Sequence, residues 1–289
     1  MNIFRSMLAC LCVLMICSSS TYSADHSNYK SRLDSIITEM LLQFSAPAPP
    51  EVVILKVSGE VTVKWADSLE AICRRTSNPR IVLWIESGGG GVQETEVLTH
   101  RILNIKAKYN KTIIAYTERF LCSGAYWVAC VADSLYSSPA AIVGSIGVYI
   151  VRLDITVYDS LLGGKYDVIK TGALKDAGDY HTKMTTEERA FWQAWVDKSY
   201  TRFINHIYSH RETQLSSAWL QMRKDPSPKA MLVRAADGRI YTAEEALTLG
   251  LVDRVLYMDD MIAQLGNNVV VNLVEVAAAH AENLRPMIK

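Results

Sequence analysis

The chain has 289 residues, about half of them apolar, with 30 lysines and arginines against 30 aspartates and glutamates. That length suits one large domain or two small ones with a sizeable core. The charges cancel and no basic stripe stands out, so a nucleic-acid partner has no electrostatic support.

Residues 1–24 differ from the rest. They carry one arginine, an unbroken apolar run over 7–17, and then small polar residues. As a helix the run would be about 16 Å long, roughly half a bilayer core. That favours a cleaved secretory signal, cut near Ser23 or Ala24. A short uncleaved membrane anchor is the rival reading. The location expected is extracytoplasmic: secreted, periplasmic or lumenal. Residues 25–50 are polar and lead into "SAPAPPE", a proline-rich linker. Three of the six cysteines lie in the leader; Cys73, Cys122 and Cys130 remain. An odd number without paired spacing argues against a disulfide framework. Cys122 and Cys130 read as small buried hydrophobes.

From residue 52 strands and helices alternate. "VVILKV" is a strand, and "KWADSLEAICRR" a helix stopped by "SNP". "RIVLWI" is a second strand, followed by "ESGGGGVQ". "TEVLTHRILNIKAKY" is an amphipathic helix that places Val97, Ile102 and Ile105 on one face. "TIIAYT" is a strand and "SGAYWVACVA" a short helix. "SLYSS", "AIVGSIGVYIVR" and "YDVIK" read as further strands. A long helix follows, with capping-box spacing at Thr185 and Glu188. Its stripe of Trp192, Trp195, Val196, Tyr200, Phe203, Ile204 and Ile207 reads as core or subunit interface. A turn, a short strand, a helix capped by Thr242 and a last strand close the domain at about 258. Residues 259–289 carry no clear signal. The alternation predicts one α/β domain over 51–258, mostly parallel, with right-handed crossovers.

Active sites in such folds sit where strand ends meet helix starts. Two features fall there: the glycine run 88–91 and Ser123. The run lacks the lysine and hydroxyl of a phosphate loop. It remains either a flexible turn or a set of bare N–H groups fit for an oxyanion. Ser123 is placed as a helix cap or as a nucleophile, with the N–H of Gly124 following it. "CSGA" is not the G-x-S-x-G elbow. His26, His100, His181, His206, His210 and His280 offer no histidine at a strand end, although His181 stays open. A lysine base must be neutral, against an ordinary pKa of about 10.4, and so needs a dry place with few carboxylates. "YDVIKTGALKDAGDY" presents Lys170 and Lys175, and chemistry alone does not choose between them.

From about residue 52 to 255 the chain resembles the signal peptide peptidase A, or protease IV, family of Ser–Lys peptidases. The matching pieces are "ESGGGGV", "CSGAYWVACVADSLYSSPAAIVGSIGV", "IKTGALKDAG", "TTEERAFWQAWVDKSYTRF" and "ADGRIYTAEEALTLGLVD", in order and spacing. The resemblance implies the spiral α/β fold shared with the Clp protease and crotonase groups. It implies Ser123 as nucleophile, Lys175 as general base, and Gly90 and Gly124 as oxyanion donors. Ser145 would orient the lysine amine, and Lys170 would be a scaffold or surface residue. It further implies a homo-oligomeric, membrane-associated ring whose sites can draw serine and lysine from neighbouring chains. Substrates would be cleaved signal peptides and other short apolar peptides; no cofactor and no metal are expected.

Three positions depart from the family pattern. Gly88 stands for a usual proline, Glu86 for an asparagine, and Ala125 for a glycine. Glu86 and Asp176 are carboxylates that would favour a protonated Lys175 if they faced it. Two other functions therefore stay open: an inactive peptide-binding or assembly protein on this fold, and a crotonase-type acyl-CoA enzyme. The latter fits the serine, the lysine and the leader less well.

Overall fold

The computed structural model describes residues 51–265 and 270–276. The expected leader and linker, residues 1–50, lie outside them. Nine strands are present among the described residues: β1 (Glu51–Glu60), β2 (Arg80–Gly89), β3 (Thr112–Thr117), β4 (Phe120–Cys122), β5 (Ser134–Ser137), β6 (Ile142–Gly144), β7 (Ile240–Thr242), β8 (Arg254–Val255) and β9 (Val270–Val276). The helices are α1 (Lys64–Arg75), α2 (Val92–Lys108), α3 (Gly124–Ala129), α4 (Thr156–Leu161), α5 (Thr186–Met222), α6 (Pro228–Ala235), α7 (Ala243–Thr248) and α8 (Met258–Leu265).

The strand order is β7-β6-β4-β2-β3-β5-β8, with β1 joining β2 and β9 joining β1. Every pairing is parallel except β6 with β7. The expected α/β class with a mostly parallel sheet is what the chain forms. Strand β2 divides its work. Residues 80–84 pair with β3 in the main sheet, and Ser87 pairs with Leu121 of β4 in the second. The glycine run and the turn before α3 therefore meet where the two pairings diverge.

Local signals read correctly where they were self-contained. α1 spans the expected twelve residues. Thr185 and Glu188 form a full capping box, with Thr185 accepting from the Glu188 N–H. Thr242 and Glu245 form another. Each satisfies N–H groups that the helix itself leaves unpaired.

Four readings need correction. Val97 is half exposed, while Leu98, Ile102 and Ile105 are buried; the stripe of α2 is turned by one residue. Only 142–144 of "AIVGSIGVYIVR" is strand. "YDVIK" forms no strand. A strand needs a partner for its alternate N–H and C=O groups, and Ile169 here is 97% exposed. The unsignalled tail contributes α8 and β9; Met261 of α8 is buried, and β9 pairs with β1.

The larger core cluster lies between α1, α2, α3, α5 and the sheet, around Leu55, Trp65, Ile85, Leu98, Tyr126 and Ile207. A smaller one beneath α8 gathers Val52, Ile54, Val82 and Tyr116. Cys73 and Cys130 are buried and Cys122 is half-buried; all three are free thiols. Burial pushes the Cys130 thiol up to about 12, which keeps it an inert hydrophobe.

Candidate active site

Ser123 ends the β4 turn and precedes α3. Its backbone sits at φ 52°, ψ −127°, and its side chain makes no capping hydrogen bond. A helix cap has extended angles and a hydroxyl bonded into the first turn; Ser123 has neither. A non-glycine residue at such angles costs of order 1–3 kcal/mol and persists only where its surroundings impose it. The imposing contacts are visible. The Ser123 N–H donates to the Gly144 carbonyl at 2.9 Å, and Leu121 and Cys122 are registered against Val143 and Gly144.

Two of the four glycines in the run, Gly89 and Gly90, and Gly124 after the serine cannot be replaced freely. A Cβ on Gly89, at φ +113°, would lie 2.7 Å from Ser123 Cβ and 2.9 Å from the Gly124 nitrogen. One on Gly90 would lie 3.0 Å from Val61, and one on Gly124 only 2.5 Å from Thr95 Oγ1 and 3.3 Å from the Gly90 nitrogen. The Gly90 and Gly124 backbones thus pack beside each other, next to Ser123. Neither N–H donates in any loop, turn or cap hydrogen bond among the described residues. Two unspent amides beside one hydroxyl can receive negative charge on a carbonyl oxygen. Gly91 is the unconstrained member of its end of the run, with open space around a Cβ. Gly89 was not singled out from the sequence; four glycines in a row hide which ones are obligatory.

Gly90 and Ser123 line two adjoining clefts. One, of about 500 Å³, is walled by Val92, Val148, Ile150, Trp192 and Trp195. The other, of about 790 Å³, contains Ser145, Gly88, Tyr200, Asp197 and Asp237. The first carries mainly apolar side chains and the second carboxylates, and Ser123 lines both. Arg239 hydrogen bonds hold the Asp237 carboxyl below the usual carboxylate range. Ser145 sits at φ 50° with its N–H on the Arg239 carbonyl. Trp192, Trp195 and Val196, expected in a core or interface stripe, face this groove, while Phe203, Ile204 and Ile207 of the same helix are buried.

Lys175 is not among the residues lining either cleft. It is exposed, on a turn closed by its own N–H to the Gly172 carbonyl. Its loop does border the groove: Ala177 and Gly178 line a third cleft of about 610 Å³, which shares Val148, Tyr149, Ile150 and Trp192 with the first. Ser123, Gly90, Gly124 and Ser145 are therefore brought together within one chain, and Lys175 stands apart from them.

The two carboxylates that raised doubt are occupied. Glu86 is buried and accepts from the N–H groups of Glu118 and Arg119, from Arg119 Nε and from Trp84 Nε1. It ties down the turn between β3 and β4 and lines neither cleft. Asp176 accepts from Lys170 Nζ at 2.5 Å.

No described histidine lines the clefts at Ser123. His181 pairs with Asp159 through Nδ1 at 2.8 Å and stacks on Tyr166. His206 stacks on Trp127 and shares a hydrogen bond with its carbonyl. The expectation that the sequence holds no His-x-x-x-His metal pattern is wrong: His206 and His210 have the i, i+4 spacing of a helix-borne metal pair. Among the described residues no group of three histidines, cysteines or carboxylates could hold a metal.

An α/β sheet here presents a strained serine beside two amides at a groove, the parts that acyl transfer requires. Comparison with known proteins gives the family. Residues 105–272 match the model of Peptidase family S49, and the chain belongs to that family, the one that holds signal peptide peptidase A. It is 32% identical over 188 residues to a protein named as a protease in Methanocaldococcus jannaschii, covering 64% of this chain and 54% of that one. It is 29% identical over 185 residues to a protein named signal peptide peptidase SppA in Enterococcus faecium, covering 64% and 49%. The chain thus spans about half the length of these curated relatives. Among solved structures, a Pyrococcus horikoshii membrane protease specific for a stomatin homolog gives a TM-score of 0.46 at 13% identity, over 81% of this chain and 95% of that one.

Proposed function

We propose that this chain is a serine endopeptidase with Ser123 as nucleophile and Lys175 as general base. The observation that carries the reading is the strained, uncapped Ser123 beside the unspent amides of Gly90 and Gly124. Neutral Lys175 takes the Ser123 proton as Oγ attacks a peptide carbonyl. The oxyanion rests on the two N–H groups, each worth about 3–4 kcal/mol of barrier. The ammonium then protonates the leaving amine, and water releases the acyl group. Ser145 orients the lysine amine. The steps use no metal and no cofactor.

The groove supports short apolar peptides, such as cleaved signal peptides, as substrates. Trp192, Trp195, Val92 and Ile150 offer an apolar wall on one side of Ser123. Lys175 reaches the serine from a neighbouring subunit of a homo-oligomeric ring. The large exposed apolar surface over 149–169 supports this: Tyr149, Val151, Leu161 and Ile169 are each four-fifths exposed or more, beyond what a monomer ordinarily shows. The protein works outside the cytoplasm, at a membrane.

The test is mass spectrometry after a serine-directed acylating probe, together with turnover of apolar peptides. A covalent adduct at Ser123, and loss of turnover in Ser123→Ala and in Lys175→Ala, are expected. Full turnover in either variant refutes the assignment. The position of Lys175 away from the groove in one chain favours a second reading, a peptide-binding protein without turnover. It predicts peptide binding and no adduct.

A further inference from the structure

We propose that Lys170 is a positioning residue that neutralises Asp176 and so keeps the amine of its neighbour Lys175 available as a base. The inference rests on Lys175 being the general base.

A lysine base fails if a carboxylate stabilises its ammonium form. Asp176 follows Lys175 directly in the chain, so the problem is built into the sequence. The fold answers it locally. Lys170 Nζ lies 2.5 Å from Asp176 Oδ1 and also donates to the Ala173 carbonyl at 3.0 Å. The Lys175 N–H closes the same turn on Gly172, at φ +83°. The Lys170 hydrogen bond holds the Asp176 carboxyl below the usual carboxylate range. Among the described residues Asp176 has no other ion-pair partner, and no carboxylate pairs with Lys175.

Asp167 apart, the other charges around the loop are committed elsewhere or carry positive charge; in the groove that Lys175 must reach, Asp197 and Asp237 line the cleft beside Ser123, with Asp237 paired to Arg239. Arg152 donates to the Asp179 and Thr182 carbonyls and approaches Asp154. Asp159 of α4 is paired with His181. Arg189 of α5 lines the cleft that Ala177 and Gly178 wall. Lys165, Asp167, Asp179 and Lys183 flank the turn in sequence; Asp179 Oδ1 accepts from the His181 N–H. Asp176 is therefore the carboxylate that its covalent position forces on Lys175, and Lys170 is the cation set against it.

The pH profile of kcat/KM for an apolar peptide tests this. Lys170→Met leaves the Asp176 charge uncompensated, favours the Lys175 ammonium, and moves the acidic limb upward by about one pH unit. Asp176→Asn leaves Lys170 unpaired and moves the limb downward. The double variant removes both charges and returns the limb to its wild-type position. Lys170→Arg keeps the charge and the limb, which guards against a loop that merely misfolds. A purely structural role lowers kcat at every pH in both single variants, leaves the limb in place, and overturns the proposal. Lys175→Ala is the separate control. Turnover retained there removes the base assignment itself, whereas an inactive Lys175→Ala with an unmoved limb in Lys170→Met removes only this inference.

Discussion

Gly89 and Ser123 are in such close register that a methyl group on the first would stand 2.7 Å from the Cβ of the second. The end of β2 is the mould in which the serine turn is cast. Gly89→Ala also forces a side chain into φ +113°. We expect it to lower stability by about 1–3 kcal/mol and turnover by about a hundredfold, through displacement of Ser123. Gly88→Ala is the matched control. A Cβ there meets nothing within 4 Å, and its φ lies outside the left-handed region. It should retain activity and gain about 0.4–1 kcal/mol from a less flexible unfolded chain. Urea melts and peptide turnover on the pair check both. Equal behaviour of the two variants would show that the close approach does not matter.

Behind the serine helix lies a buried cation. Arg211 is 2% exposed, at a break in α5 where its own φ is −127° and ψ 20°. It donates to the Gly250 carbonyl and pairs with Asp253 at 2.6 Å. Tyr126 of α3 reaches the same segment through the Leu251 carbonyl at 2.8 Å. Arg211→Ala strands Asp253 beside a core it cannot leave, because that carboxylate also holds the Leu135 N–H. We expect a loss of about 3–5 kcal/mol. Chemical denaturation measures it, and a cycle with Asp253→Ala should show strong coupling. Additive losses would mean that the pair is not a unit.

The parts legible in the sequence are those decided within a turn or two of chain. Thr185–Glu188 and Thr242–Glu245 are capping boxes because all their partners lie three residues apart. The strand–glycine–helix junction and the serine at the next junction are equally local. The conformation of Ser123 is not local. Its φ is imposed by Gly144 and Gly89, which come from two other strands, and only those contacts separate a nucleophile from a cap. Glu86 reads as a threat to a lysine base until its partners, 32 and 33 residues away, are known. β9 carries no signal of its own because what makes it a strand is β1, two hundred residues earlier. "YDVIK" fails in the opposite sense: the pattern of a strand is present and the chain supplies no partner for it.

His206 ties stability to pH. Burial against Trp127, with His210 nearby, lowers its pKa from the usual 6.5 to about 4. The folded state therefore resists a proton that the unfolded chain accepts. The unfolded state binds more protons between pH 6.5 and 4, so stability falls as pH drops through that window and is fully present above it. The contribution is up to about 3 kcal/mol. His206→Gln keeps a donor for the Trp127 carbonyl and cannot titrate there. Urea melts from pH 7 to 4 should show the wild type losing stability more steeply than the variant. Parallel curves would remove His206 from the account.

The separation of Lys175 from the groove of its own chain makes subunit mixing decisive. Ser123→Ala and Lys175→Ala proteins should each be inactive alone. If the lysine comes from a neighbour, dissociating and reassociating an equimolar mixture rebuilds complete sites wherever a serine-bearing chain sits before a lysine-bearing one. In a ring with head-to-tail contacts that is roughly a quarter of the sites, and peptide turnover should recover to about that fraction. On the proposed ring the exposed apolar stretch around Tyr149, Val151 and Ile169 is the contact expected to join the chains, so charged substitutions there should abolish the recovery and shift the mass seen by light scattering. A loop that delivers Lys175 within its own chain gives another result: no mixture recovers, because every chain lacks either the nucleophile or the base.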